Sequence, residues 1–237
     1  MSESGCYIAY PASSELHRNA REFVRLMNRD NPKRQDALLA CTMTLMVNET
    51  INVYLTDILI TSGINDTRRK IIVTADSFLK KTARSLIKQV TKKVDAEQQR
   101  KTAEHIDSCL LSLKVSNNET IEWVAFPISE SFYQKIISGH NSFLEHRSRN
   151  EKSIIIENQQ AITHEMVKFL VDRLVSTINL GPILTKVIET STKKCVQLMQ
   201  STLQKSLSAM EEDEIIRTNQ HVAKMLIVDH MHNAMMP

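Results

Sequence analysis

Apolar residues recur along most of this chain at intervals of three and four, the spacing of a helix with one buried face. Over residues 14–28, Leu16, Ala20, Phe23, Val24 and Met27 fall on one side. Asn31-Pro32 supplies a capping side chain followed by proline at a first helical position. From there to residue 60 the pattern is apolar around much of its circumference, with Gly63 as a stop. That predicts a central helix whose polar residues Asn48, Glu49 and Asn52 find partners across the bundle. Asp66 can cap a helix over 66–94, and Asp95-Ala96-Glu97-Gln98 introduces another, through Leu113.

The middle of the chain is less regular. Ser116-Asn117-Asn118-Glu119 has the residue types of a capping box, yet Ile121, Trp123 and Ala125 alternate as a strand would. With no second strand-like segment for pairing, the expectation is a helix over 120–126, ended by Pro127. A short helix over 129–138 stops at Gly139, and residues 140–150 are polar and loose. Ser148-Arg149-Asn150-Glu151 opens a long helix to residue 180, and Gly181-Pro182 turns the chain into another, to about Ala209. Ser208-Ala209-Met210-Glu211 precedes a last helix, whose acidic first turn (Glu211, Glu212, Asp213, Glu214) complements the helix dipole. The predicted fold is all-α: an elongated multi-helix bundle with several helices of about 25–30 residues, each some 45 Å long. Residues 1–237 read as a single domain, with a possible two-part division near 115–128.

Composition supports this picture. Only 4 glycines and 5 prolines leave few sites for the tight turns that an all-β fold needs. The 11 methionines suit helix-on-helix packing, and also partner binding or homo-oligomerisation. Met1 to Gly5 lacks the basic and apolar regions of a signal peptide. The longest apolar candidate, residues 37–60, is interrupted by Asn48, Glu49, Asn52 and Asp57, so no transmembrane segment is expected. Cys6, Cys41, Cys109 and Cys195 lie far apart and read as reduced thiols, which places the protein in the cytoplasm.

Charge changes the picture more. Residues 77–94, SFLKKTARSLIKQVTKKV, carry six basic side chains and no acid. Over 64–101 eleven basic residues face four acidic ones, a net +7 in a chain of +3, so the remainder carries −4. On a helical wheel Ile72, Ala75, Leu79, Ala83, Leu86, Val90 and Val94 form the buried stripe. Lys80, Arg84, Lys88 and Lys92 follow at intervals of four, and Lys70 and Lys81 join them. These six are the candidate anion-binding residues, on a basic face spanning about 68–93. The partner they fit is an anionic macromolecule, a nucleic acid or an acidic protein surface, or the anionic headgroups of a membrane surface. The plainer reading is a solvated flank paired with acids of neighbouring helices. Without Phe, Tyr or Trp on the basic face, base stacking is not expected, and binding would show weak sequence preference with strong salt dependence.

Catalytic signatures are missing: the chain has no GxGxxG, Walker A, GxSxG, HExxH or CxxC sequence. The expected function is therefore a non-enzymatic interaction or regulatory protein without a cofactor. Two other chemistries compete with it. The stretch AITHEMVKFLVDRL, residues 161–174, sets His164-Glu165 early in a helix that Gly181-Pro182 folds back. Over that pair and the hairpin alone, it resembles the phospho-accepting hairpin of sensor histidine kinases, which implies a phosphate-accepting His164. Lys168 to Leu170 stand where that family commonly has a proline, and nothing resembles its ATP-binding domain. Near the C-terminus, His221, Asp229 and His232 would project in similar directions from a helix, and Asp229 and His232 have a chelating i, i+3 spacing. The chain has no Glu-x-x-His pair of the di-metal bundle type. A helical ligand pocket is a third possibility, invisible to sequence because packing creates it.

Overall fold

A computed structural model describes residues 5–60, 65–114, 120–146, 149–177 and 180–228. The chain opens with strand β1 (Cys6–Pro11), followed by helices α1 (Ser14–Met27) and α2 (Asp36–Ile51). A π-helical segment (Asn52–Asp57) and the short α3 (Ile58–Ile60) extend α2. Next come α4 (Asp66–Thr91), α5 (Ala96–Ser108), β2 (Leu110–Lys114) and β3 (Thr120–Pro127). The remainder is α6 (Glu130–His146), α7 (Arg149–Thr177), α8 (Gly181–Ser208), α9 (Glu212–Ala223) and β4 (Leu226–Val228). The fold is a multi-helix assembly with three long helices of 26, 29 and 28 residues, α4, α7 and α8, to which a small sheet is added.

The local signals explain most of the helices. All five apolar residues assigned to the buried face of α1 are buried, and Ser13 caps the helix by accepting from the Leu16 N–H at 3.1 Å. Glu49 of α2 holds that cap in turn, accepting from the Ser13 N–H at 3.1 Å and from its hydroxyl. Asn52 accepts from the Lys80 ammonium, so two of the polar residues on the central helix have partners on neighbouring elements. Asp95 and Gln98 form the expected capping box of α5. Gly181, at φ +72°, turns α7 into α8 through a left-handed conformation, and Pro182 follows in the first turn.

Other boundaries differ from expectation. The helix expected from Pro32 starts at Asp36, because the Gln35 N–H is bound to Gln99 Oε1 of α5 at 2.7 Å and Arg34 pairs with Asp36. Residues 120–126, expected as a helix, form a strand. The helix expected to run through Leu113 ends at Ser108 and gives way to β2. Gly139 does not stop a helix: α6 continues through it to His146, with the Asn158 and Ile154 side chains of α7 packed over the glycine. At the C-terminal end the capping box is Glu211 with Glu214, three residues later than the Ser208 box. Gly63, the Ser116–Glu119 box and Ser148 lie outside the described residues.

The four strands form one antiparallel sheet in the order β2-β3-β1-β4. Tyr10 opposes Val124 and Ile8 opposes Phe126 between β1 and β3, while Leu110 opposes Val124 between β2 and β3. Strand alternation sends these residues to one face, where they join the helices in a core running from Ile8 to Met225. Ala9, Ala125 and Ile227, with Tyr7, Leu111 and Trp123 packed against them, occupy the other face. Tyr10 ties sheet to helix: its hydroxyl lies 3.2 Å from the Met46 carbonyl and shares a 2.9 Å hydrogen bond with Thr50, while its ring meets Tyr54 edge-on. Burial pushes both phenols far above their ordinary pKa, so they remain neutral. The helical run Asp36–Asp57, with mean hydropathy 1.2, is by length and composition apolar enough to cross a membrane. Its buried residues, among them Leu39, Met46, Ile51, Tyr54 and Leu55, lie in the same core, as those of a central helix do.

Candidate anion-binding face of α4

The basic row is positioned by the burial of the opposite side of α4. Asn65 caps the helix, accepting from the Arg68 N–H at 3.0 Å, and Ile72, Ala75, Leu79, Ile87 and Val90 are buried against α2 and α8. Ala83 and Leu86 are half-buried on the same side. Centring that stripe on the core turns Lys70, Lys81, Arg84, Lys88 and Lys92 outward, within an arc of about 80°, and all five are exposed. From Lys70 to Lys92 the row spans about 33 Å along the axis. Among the described residues no carboxylate oxygen lies within 4.0 Å of any of these five cations.

Lys80 stands apart from them. It is only partly exposed, bridges Asp76 one turn earlier at 2.7 Å and donates to Asn52 Oδ1 in the π-helical segment. Asp76 also accepts from the Thr56 hydroxyl at 2.9 Å. The charge of Lys80 is thus neutralised within the fold, although its i, i+4 spacing from Arg84 is the same as that of its exposed neighbours. Two other cations of the +7 segment are matched: Arg68 reaches Glu214 of α9 at 3.8 Å, and Arg100 pairs with Glu97 and Glu104.

One feature of this surface was not expected. Phe78, 53% exposed, flanks the row together with Ile71 on the side facing α8. There they join Leu198 and Lys194 along a shallow groove of about 700 Å³. The i, i+7 spacing of Ile71 and Phe78, outside the buried stripe, is the signal that marks this apolar flank. Between the cations, Ser77, Ser85 and Gln89 are exposed hydrogen-bonding side chains.

The competing centres are less assembled. His164 is exposed on α7 beside a half-buried Glu165. His221 is half-buried on α9, where burial lowers its pKa below the ordinary 6.5 and nearby Asp57 opposes the shift. Burial raises the Asp57 carboxyl, against the pull of His221 and Lys80. Asp229 and His232, proposed to share a metal with His221, lie outside the described residues. Among the described residues no three His, Cys, Asp or Glu side chains converge as a metal site. No protein-family model matches this chain, and neither a curated protein nor a solved structure is significantly similar to it.

Proposed function

We propose that this chain is a non-enzymatic, cytoplasmic binding protein whose α4 face engages the phosphate backbone of a nucleic acid. The observation that carries the reading is the row Lys70, Lys81, Arg84, Lys88 and Lys92, exposed on one side of a helix and unmatched by described carboxylates. Lys81, Arg84, Lys88 and Lys92, about 5–6 Å apart along the axis, with Lys70 about 16 Å before them, each meet a separate phosphate and release its condensed counterion. Ser77, Ser85 and Gln89 between them can donate to phosphate oxygens, a contact that fixes register without reading bases. Weak sequence preference follows. The exposed Phe78 and Ile71 favour a second reading, an acidic amphipathic helix of a partner protein laid along α4 with its apolar side on this flank.

Fluorescence anisotropy with a labelled mixed-sequence DNA duplex tests the first reading. Replacing Lys81, Arg84, Lys88 and Lys92 together with Glu should weaken binding by about 100-fold or more at low salt, with circular dichroism unchanged. Equal affinity of the two proteins would remove the proposal. Binding to an acidic helical peptide but not to the duplex would transfer the site to the second reading.

A further inference from the structure

Behind the basic face, α2, α4, α5, α7 and α8 surround a half-enclosed cavity of about 160 Å³. Met43, Met46, Leu79, Ile87, Ile106 and Met199 make up much of its wall, and no Asp, Glu, Lys or Arg lines it. Two of its three threonine hydroxyls are committed elsewhere. The Thr50 hydroxyl donates to the Met46 carbonyl and the Thr102 hydroxyl to the Gln98 carbonyl, each at 2.8 Å. The His105 ring packs against Phe169 at a tilt of 46°, with centroids 5.1 Å apart. Burial raises the Cys195 thiol above its ordinary pKa, which leaves it neutral.

Such walls select against water and charge. Close-packed interiors leave few voids larger than a water molecule, and an apolar cavity of about 150 Å³ is large enough to admit a benzene-sized guest while staying dry. The three methionines adapt their flexible side chains to guests of different outline. The wall of α2 ends at Ile51, directly before the π-helical segment at Asn52, a local irregularity of the kind that recurs beside binding sites.

From this geometry we infer that the cavity is a binding site for a small, uncharged, apolar molecule, a monoaromatic or short alkyl compound of about six to ten heavy atoms. The inference is independent of the nucleic-acid reading, because α4 lines the cavity with Leu79, Ala83, Leu86, Ile87 and Val90 and meets solvent with the opposite side.

Methionine-methyl NMR on the full chain, titrated with toluene, tests it. Saturable, single-site shifts are expected at Met43, Met46 and Met199, with Met27 and Met210, buried outside the cavity, largely unmoved. Ala83→Leu fills the cavity and should abolish those shifts while raising the melting temperature; Cys195→Leu fills it from the α8 side if the first variant folds poorly. Absence of saturation in the natural protein, or toluene shifts that persist in a folded cavity-filling variant, would overturn the inference.

Discussion

Gly139 shows how a single residue can be legible as a type and misleading as a signal. Glycine near the end of an apolar pattern suggests a helix stop, yet here it lies within α6 because α7 packs over it. A Cβ at this position would lie 2.5 Å from Asn158 Nδ2 and 2.9 Å from Ile154 Cγ2. Asn158 is only 2% exposed, so its amide has no solvent to retreat into. Alanine gains about 1 kcal/mol of helix propensity over glycine. Overpacking costs about 1–3 kcal/mol. Gly139→Ala is therefore expected to lower stability by about 1 kcal/mol in urea unfolding; a stability gain would show that Asn158 yields. The contrast with α1 is instructive: its five apolar residues were readable because their burial depends on spacing within one helix alone.

At the scale of elements, α4 separates two roles that its sequence runs together. Lys80 and Lys88 both belong to the every-fourth-residue row, but only Lys80 meets a carboxylate, in a partly buried bridge to Asp76. Lys80→Ala is expected to cost about 1–2 kcal/mol of stability, through the lost bridge and the uncompensated Asp76. Lys88→Ala should leave stability unchanged and reduce polyanion affinity, so chemical unfolding and anisotropy together separate the two. Equal stability loss in both variants would place Lys88 in the fold as well. Strand β3 illustrates the opposite limit. Its alternation of Ile121, Trp123 and Ala125 was visible, but of its two partners β2 reads as helix in the sequence and β1 lies more than 100 residues earlier. Tyr7-Ile8-Ala9-Tyr10 carried β-forming residue types, Leu110-Leu111-Ser112-Leu113 did not, and only pairing turned both into a sheet.

For the whole molecule, the helical assembly was legible because helices bury a periodic face, a property that any window of sequence records. The β1–β3 pairing and the cavity were not, since each arises where elements distant in sequence meet, whereas the Asp76–Lys80 bridge, at i, i+4 within α4, was readable from spacing alone. Charge segregation lies between these cases. The +7 of residues 64–101 was countable, but its outward exposure depended on where neighbouring carboxylates fell. Five cations on one face, in a chain whose remainder is acidic, form an electrostatic surface whose binding must weaken as salt replaces released counterions. The most direct measurement is the duplex-DNA dissociation constant across roughly 50–200 mM KCl. Five phosphate contacts predict a slope of log affinity against log salt of about −4 to −5, falling towards zero in the Lys81/Arg84/Lys88/Lys92→Glu protein. Affinity that does not change with salt, or a slope that survives the charge reversal, would contradict the assignment of α4 as the phosphate-binding face.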